Sequence, residues 1–417
     1  MCPGADSRRS RRPRSRRGRR GTERGSGAGR ADHRRGSAAH GTVRGAWTYE
    51  QQPRARVTGR LGFRRPWQTR GGAWPILVRQ HTGRGEPVTA RLLTEAEIAA
   101  TLDIGTAIRA IEEGLRQQGR GDAHVMEKTH VAWDGATLHA VGGVLADEGL
   151  AGTKTWAHTP GGAAPYLLLF DAADGSLRAL IEAFALGQLR TAAVCGVATA
   201  ALADPGADEL AVVGAGEQAL TQVAAVAAVR PVRRVRVFSR DERKATDFCA
   251  HIADRLGIAA GACGSVADTV RDAPIITLAT RATSPFLAPG LPPPGAHINA
   301  IGAITPERIE FEPALLQRCS VVVADSIDQA SRLSAEFRAF YGPDPRAWSR
   351  VERLADLVLG DRPRPQGADL TLFKALGVGL FDLVLGAYCL RHAEISGLGT
   401  ALPAAPARAD VRLRDRG

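Results

Sequence analysis

The chain has 417 residues, which is long enough for two domains that each bury a core. Its net charge of +12 is concentrated in residues 1–90, which contain 22 arginines, no lysine and 5 acidic residues, whereas the rest of the chain has 33 basic and 38 acidic residues. No apolar run reaches the roughly 18 to 20 residues that cross a bilayer, and no apolar segment follows the arginines as in an export signal, so a membrane or exported protein is not expected.

Residues 1–88 are rich in Arg, Gly, Ser and Pro and have almost no aliphatic periodicity. Such a segment cannot bury enough apolar surface to offset the entropy of ordering, so we predict a disordered tail. We interpret it as translated upstream sequence, with the start of the protein near Val88. The alternative is an electrostatic arm for nucleic acid, which is disfavoured because binding tails normally mix lysine with arginine.

The next part of the chain is predicted to mix helices and strands. Thr94 and Glu97 form a capping-box pattern, and apolar residues at three- and four-residue spacing predict one or two helices over 93–121. A helix rich in small residues begins at 186 and is stopped by Pro205-Gly206. Between these helices, strands are predicted over 125–135, 136–146, 149–159 and 164–183.

From residue 209 onward, predicted strands and helices alternate. This alternation indicates a parallel, doubly wound sheet with helices on both faces, so the predicted fold class is α/β with a Rossmann sheet plus a second α+β domain. The predicted strands are 209–216, 233–240, 275–280 and 321–329, and the predicted helices are 217–230 and 242–257.

A dinucleotide-binding turn is predicted after the first of these strands, in the run VVGAGEQA. Gly214 permits the tight turn, Gly216 lets the backbone approach a pyrophosphate, and Ala219 allows close packing of strand and helix. The following helix, predicted to begin at Glu217, presents free N–H groups to the phosphates. The other cofactor contacts predicted at this edge of the sheet are Ala215, Gln218 and Thr280.

The tip of the next strand indicates which nicotinamide cofactor is bound. Ser239 and Arg240 suit a 2′-phosphate, because a guanidinium donates to phosphate oxygens and stacks on adenine. Asp241 keeps NAD(H) open, since a carboxylate about 20 residues after the glycines binds a ribose 2′-hydroxyl. These residues favour NADP(H), with NAD(H) as the alternative.

Five motifs occur in a fixed order along the chain: Gly152-Thr153-Lys154, LRTAA at 189–193, VVGAGEQA, GAHINAIGA at 295–303 and LFKALGVGLFD at 372–382. With these motifs, the chain from about Leu92 to Gly399 resembles the ornithine cyclodeaminase/mu-crystallin family, which includes alanine dehydrogenases and ketimine reductases. The domains that this resemblance implies are a substrate and dimerisation domain over 89–200, a Rossmann domain over 201–368, a C-terminal helix over 369–402 that returns to the first domain, and a disordered tail over 403–417.

The resemblance also implies a cationic substrate site. Lys154 and Arg190 match family positions around the substrate, Lys128 stands where the family usually has arginine, and Thr191 belongs to the same motif as Arg190. Arg190 is expected to hold the substrate carboxylate in the plane of its guanidinium. Lys154, close to other cations, is expected to have a lowered pKa and to exchange a proton with the substrate nitrogen. Asp382 matches a family aspartate that is expected to orient a cation or cap backbone.

The residue after INAIGA limits the reaction. Ornithine cyclodeaminases are expected to carry Asp there, whereas this chain has Ile304, which cannot bind an ammonium or act as a base. Cyclodeamination is therefore disfavoured unless Glu307 reaches in. We predict NAD(P)H-dependent reduction of a cyclic imino acid of the pyrroline-2-carboxylate or piperideine-2-carboxylate type. The alternatives are an alanine-type amino-acid dehydrogenase, an ornithine or lysine cyclodeaminase, and a non-catalytic protein that binds NADPH and a small ligand.

The remaining expectations concern the setting of the protein. Six cysteines are scattered without CxxC spacing, which is typical of reduced thiols in a cytoplasmic protein, and no metal site is predicted. The resemblance implies a homodimer that acts on a small imino or amino acid.

Overall fold

The computed structural model describes residues 89–403. The predictions for residues 1–88 and for the tail after 403 concern residues outside this range. Within it, the chain forms two lobes, one built on a nine-stranded sheet and the other on an eight-stranded sheet. Side chains from both lobes contribute to one hydrophobic core cluster.

The first lobe begins with the predicted capping box. Thr94 N–H donates to Glu97 Oε2 at 2.9 Å, and Glu97 N–H donates to Thr94 Oγ1 at 3.4 Å, so this prediction is confirmed. The helices and strands of the first lobe are, in chain order, β1 (Arg91–Leu93), α1 (Glu95–Thr101), α2 (Ile104–Arg120), β2 (Ala123–Val125), β3 (Thr129–Trp133), β4 (Ala136–Leu145), β5 (Leu150–Thr159), β6 (Gly162–Ala163), β7 (Tyr166–Asp171), β8 (Leu177–Glu182) and α3 (Phe184–Leu202).

The second lobe alternates strands and helices along the chain. Its elements are β9 (Glu209–Val213), α4 (Ala219–Val229), β10 (Arg234–Phe238), α5 (Glu242–Leu256), β11 (Ala259–Ala262), α6 (Val266–Val270), β12 (Ile275–Leu278), β13 (His297–Ala300), a 3₁₀ helix (Pro313–Gln317), β14 (Cys319–Ala324), α7 (Ile327–Leu333), α8 (Ala335–Tyr341), a 3₁₀ helix (Ala347–Arg350), β15 (Val351–Arg353), α9 (Leu354–Leu359) and β16 (Leu370–Lys374).

The strands of the second lobe are all parallel and lie in the order β11-β10-β9-β12-β13-β16-β14-β15. The strand order reverses at β9, and open α/β sheets bind ligands beside such a reversal, outside the carboxyl ends of the strands. The prediction of an α/β fold with a Rossmann sheet is therefore confirmed.

The C-terminal segment differs from the single helix predicted over 369–402. Its first residues form β16 inside the parallel sheet, the helix α10 covers only Leu380–Ser396, and the strand β17 (Thr400–Ala401) pairs with β1. The prediction was wrong here because a strand buried in a parallel sheet is continuously apolar, and its periodicity does not separate it from a buried helix. Gly377, with a φ of +87°, lies in the turn between β16 and α10. The second lobe therefore extends to Lys374.

The first sheet has one covered and one exposed face. Its strands lie in the order β17-β1-β8-β7-β5-β4-β2, with β3 paired to β4 and β6 paired to β5. Helix α10 packs against β4, β5 and β7 on the covered face, to which Lys154 also points. The large exposed side chains that share the opposite face by strand register are Val131, Trp133, Leu138 and Tyr166.

Helix α3 lies between the two lobes and packs against α2, α4 and α10. Of the described helices, α3 is the one whose length and apolar composition would suffice to cross a membrane, but 61% of its apolar window is buried, as in the core helix of a folded domain. Two arginines cap its last carbonyls. Arg230 Nη2 donates to Thr199 O at 2.9 Å and Ala203 O at 2.8 Å, and Arg364 Nη1 donates to Leu202 O at 2.6 Å.

A buried histidine lies at the start of β13, beside the end of α3. His297 is fully buried, with Nδ1 3.0 Å from Thr371 Oγ1 and Nε2 3.2 Å from Asn299 Oδ1. Asn299 Nδ2 in turn donates to Thr199 Oγ1 of α3 at 2.8 Å. Burial lowers the pKa of His297 from 6.5 to about 3, so the ring is neutral in the folded protein at neutral pH.

We expect His297 to make the folded protein sensitive to mild acid. The unfolded chain takes up a proton as the pH falls below the ordinary pKa of histidine, and the folded chain does so only near the lowered pKa, so stability is lost between these two values. The loss should be about 2 kcal/mol at about pH 5 relative to about pH 8. Denaturant unfolding at both pH values should show this extra loss in the wild type and not in His297→Gln. Equal pH dependence in both proteins would contradict the assignment.

Candidate active site

The glycine turn after β9 has the geometry of a dinucleotide-binding turn. Gly214 has a φ of +113°, and a Cβ at this position would lie 2.4 Å from Ala279 O, so only glycine is accommodated. A Cβ at Gly216 would meet no protein atom within 4 Å, which leaves a cradle for a closely approaching ligand. Helix α4 begins at Ala219, two residues later than predicted, because Glu217 and Gln218 belong to the turn.

Ser239 and Arg240 lie beside this turn, at the end of β10. Gly214 N–H donates to Phe238 O at 2.8 Å, which joins the two loops. Asp241, which the sequence left open as a ribose ligand, is the N-cap of α5, where its Oδ1 accepts from Lys244 N–H at 3.2 Å. The carboxylate therefore has a structural role, and Arg240 is exposed.

Thr280 lies at the carboxyl edge after β12, as predicted, but its donors point to a buried acid. Both Thr280 N–H and Thr280 Oγ1 donate to Glu310 Oε1 at 2.8 Å. A nucleotide contact by Thr280 would have to use its other atoms, and that contact stays a prediction.

The two predicted catalytic cations meet at one buried carboxylate. Lys154 on β5 donates from Nζ to Asp382 Oδ1 at 2.6 Å, and Arg190 on α3 places Nε 3.5 Å from Asp382 Oδ2. Asp382 is on α10 and is fully buried. The three residues come from three distant elements, and the prediction that Asp382 orients a cation is confirmed.

The surroundings of Lys154 favour release of a proton from its ammonium group. Burial lowers the pKa of Lys154, the charge of Asp382 acts in the opposite direction, and the charges of Arg190 and Lys128 lower it further. The ammonium lies 5.3 Å from the centroid of the Trp156 ring, which provides an additional cation–π contact.

The other two predicted substrate residues are placed differently. Lys128 is half-buried just before β3, and burial lowers its pKa, with the Arg190 charge acting in the same direction and Asp325 in the other. It therefore belongs to the same cationic cluster. Thr191 Oγ1 donates to Gly187 O at 2.9 Å within its own helix, so its hydroxyl can offer a substrate only an acceptor oxygen.

Sequence reasoning missed a buried aspartate that holds the turn beside Arg190. Asp325 follows β14, and its carboxylate accepts from the N–H groups of Leu376 and Gly377 at 2.9 Å. These bonds hold the turn after β16 against Arg190, because a Cβ at Gly377 would lie 3.3 Å from Arg190 Nη1. An acidic residue directly after a buried parallel strand was the available signal.

Glu307 does not take the place of the missing aspartate at Ile304. The Glu307 side chain is exposed, and its pKa is lowered by a hydrogen bond from the Thr305 side chain, so it is turned to its own loop. This arrangement agrees with the prediction that cyclodeamination is disfavoured.

A parallel, doubly wound sheet with a glycine turn, joined to a buried cationic cluster, defines a protein of the Rossmann class. The model of the ornithine cyclodeaminase/mu-crystallin family matches residues 88–393, and the chain belongs to that family.

The known proteins that are similar to this chain include three reductases. A Delta(1)-pyrroline-2-carboxylate reductase of Bacillus cereus is 30% identical over 240 residues, which are 56% of this chain and 72% of that protein. The ketimine reductase mu-crystallin of Rattus norvegicus is 34% identical over 218 residues, 52% of this chain and 66% of that protein. The structure of the iminosuccinate reductase of Paracoccus denitrificans in complex with NAD+ has a TM-score of 0.71 and 26% identity, covering 76% of this chain and 100% of that one.

We expect Gly216→Ala to weaken dinucleotide binding without affecting the fold. The added methyl group meets no protein atom, but it occupies the cradle, so the dissociation constants for NADPH and NADH should rise about tenfold or more. Gly261→Ala on β11 is the matched control, because a Cβ there also meets nothing within 4 Å. Both variants should keep the wild-type melting temperature. Unchanged affinity in Gly216→Ala, measured by fluorescence titration, would show that the cradle is not the nucleotide site.

Proposed function

We propose that this protein is an NAD(P)H-dependent reductase of a cyclic imino acid, of the pyrroline-2-carboxylate or piperideine-2-carboxylate type, which it converts to the cyclic amino acid. The observation that carries this proposal is the buried Lys154–Asp382–Arg190 cluster, which offers a proton and a carboxylate clamp in one place. The reductases to which the chain is similar support the same reaction.

The positions of the two loops suit an extended dinucleotide. The glycine turn follows β9, and the turn that faces Arg190 follows β16 on the same edge of the sheet. The strands β12 and β13 lie between them, so the two loops are three strand spacings apart, about 14 Å. A dinucleotide bound by its phosphates at Gly216 can therefore extend towards the cationic cluster.

The charges of the cluster suit an anionic substrate. Lys128, Lys154 and Arg190 lie near the buried carboxylates Asp325 and Asp382, and Arg308 is a further cation beside Lys128. The cations outnumber these two carboxylates, which leaves positive charge for a substrate carboxylate. Arg190 is the best placed to receive it, because its Nε faces Asp382 while its two terminal nitrogens lie beside a glycine.

Reduction of the C=N bond adds a hydride to carbon and a proton to nitrogen. Bound NAD(P)H supplies the hydride. Lys154 Nζ supplies the proton, because burial lowers its pKa and the hydrogen bond to Asp382 fixes its direction. Loss of this proton leaves a neutral amine beside Asp382, and solvent returns the proton after product release.

An alanine-type amino-acid dehydrogenase is the second candidate, since it would use the same carboxylate clamp and proton carrier. The two functions differ in their substrates. The imine reductase acts on a ring imine, whereas the dehydrogenase acts on a keto acid together with ammonia. An ornithine or lysine cyclodeaminase is less well supported, because Ile304 occupies the position of the expected aspartate and the exposed Glu307 does not replace it. A purely ligand-binding protein would have no use for a buried Lys154 with a lowered pKa.

NADP(H) is the proposed cofactor. Ser239 and Arg240 follow β10 next to the glycine turn, and Asp241, the carboxylate that would select NAD(H), caps α5. The exposed guanidinium of Arg240 is free to turn towards a 2′-phosphate.

A homodimer in the cytoplasm is the proposed working form. The open face of the first sheet carries Val131, Trp133, Leu138 and Tyr166, a row of large apolar side chains that a monomer leaves in water. Pairing of this face with its copy would cover them with self-complementary surface.

We expect Lys154→Met to reduce imine turnover by a factor of about 100 to 10,000, because the proton donor is lost. Turnover is followed as NADPH consumption with pyrroline-2-carboxylate and piperideine-2-carboxylate, and NADPH affinity should stay within about threefold of wild type. Lys154→Arg is the matched control for charge: it keeps the ion pair with Asp382 but holds its proton too tightly to donate it. It should also be inactive, and wild-type turnover in Lys154→Arg would exclude proton donation by this residue.

We expect Arg240→Met to weaken NADPH binding about tenfold or more, and NADH binding by less than about twofold, because only NADPH carries the 2′-phosphate. Arg233→Met is the matched control, since Arg233 is exposed just before the other end of β10. Calorimetric titration with both cofactors separates the two variants. If Arg240→Met weakened both cofactors equally, the assignment of a 2′-phosphate site would fail.

A further inference from the structure

A fully buried carboxylate, Glu310, lies beneath the loops that follow β12 and β13. Its Oε1 accepts from Thr280 N–H and Thr280 Oγ1, both at 2.8 Å. Its Oε2 accepts from Gly302 N–H at 2.8 Å and from Ala303 N–H at 3.0 Å. One side chain thus joins two loops at the carboxyl edge of the sheet.

These four donors favour the ionised form of the Glu310 carboxylate. Each oxygen of Glu310 receives two hydrogen bonds, and a proton on Oε2 would point at two backbone N–H donors. The pKa of Glu310 is raised by burial, and the charge of Lys374 and the donors from Thr280 and Ala303 act in the opposite direction. Lys374 is fully buried at the end of β16 and supplies the compensating charge.

A second buried carboxylate, Glu336, binds the backbone of Glu310. Glu310 N–H donates to Glu336 Oε1 at 3.0 Å, and Lys374 Nζ lies 3.5 Å from Glu336 Oε2. Lys374 O in turn accepts from Asp325 N–H at 3.2 Å. The network therefore reaches the aspartate that holds the turn beside Arg190.

The loops that Glu310 joins have no room to shift independently. A Cβ at Gly302 would lie 2.1 Å from Thr280 O, and a Cβ at Gly214 would lie 2.4 Å from Ala279 O. The dinucleotide turn, the loop after β12 and the loop after β13 are thus in direct backbone contact. Ile304 directly follows Ala303, and Arg308 of the same loop lies close enough to Lys128 for its charge to lower the pKa of that lysine.

We infer that Glu310 is a positioning residue for hydride transfer: it ties the loop that packs against the dinucleotide turn to the loop that carries Ile304 on the substrate side. The expected effect of Glu310 on turnover rests on the proposed function, whereas its expected effect on the loops does not. Glu310 touches neither ligand and acts through the backbone that it holds.

The test is Glu310→Gln in the full-length protein. The amide places an NH2 group where one oxygen was, so one pair of donors loses its acceptor. Hydrogen exchange should become about tenfold faster or more at the amides of Thr280 or of Gly302 and Ala303. Turnover of the imine should fall about 100-fold, since small misplacements of reacting groups have effects of this size. The deuterium isotope effect on kcat, measured with NADPH labelled at the transferred hydrogen, should rise as hydride transfer becomes limiting.

Two further variants keep the test decisive. Glu336→Gln keeps an acceptor for Glu310 N–H but removes the charge facing Lys374 and the acceptor of the Ser334 hydroxyl. It should show a smaller effect in the same direction and serves if Glu310→Gln does not fold. Arg230→Met weakens the cap of α3, away from the loops, and should lower the melting temperature while kcat stays within about threefold of wild type.

Unchanged exchange at the loop amides of both Glu variants would overturn the inference, as would a wild-type isotope effect and kcat. An equal loss of kcat in Arg230→Met would overturn it as well, because turnover would then follow stability alone. If the wild type itself reduces no imine, the proposed function fails, and the exchange measurement decides separately on the role of Glu310.

Discussion

Lys154 is buried and Arg190 is partly buried, and both depend on the carboxylate of Asp382. Taking a charged group out of water costs several kcal/mol per ion unless a partner of opposite charge is close. Asp382 stands in the first turn of α10, so the position of the cations depends on how this helix docks on the first sheet. The last helix of the chain therefore positions the charged groups of the site as well as contributing to the core.

The loops that build the site share one edge of the second sheet. In a parallel sheet all strands end at the same edge, so the glycine turn, Thr280, Gly302, Asp325 and Gly377 come together from five different strands. Irregular loops leave backbone N–H groups without partners, and buried groups of this kind must be satisfied. In this protein buried carboxylates accept those hydrogen bonds. The binding surface is thus held in place by acids that lie beneath it.

The parts of the site that were predicted from sequence are those whose signal is local. The glycine turn is recognised within eight residues, and Lys154 and Arg190 stand in short motifs of the family. Asp325 and Glu310 were missed because each is a single acid with a distant partner: Leu376 lies 51 residues from Asp325, and Thr280 lies 30 residues from Glu310. Strand β16 was missed for a different reason, since a five-residue buried strand and a buried helical turn have the same composition. The parallel, doubly wound sheet of the second lobe was predicted from the alternation of elements, whereas the pairing of β1 with β17 has no signal in sequence.

The return of the chain end to its beginning has a consequence for biosynthesis. Arg91 Nη1 donates to Leu398 O across 307 residues, and Leu380, Phe381 and Leu385 fill the core under the first sheet. While the ribosome is still adding the second lobe, the first sheet has emerged without the helix that covers it. Its apolar face stays open to solvent and to other nascent chains until translation is nearly finished. A newly made chain should therefore depend on chaperone protection for most of its synthesis, and release early in the second lobe would yield an aggregating fragment.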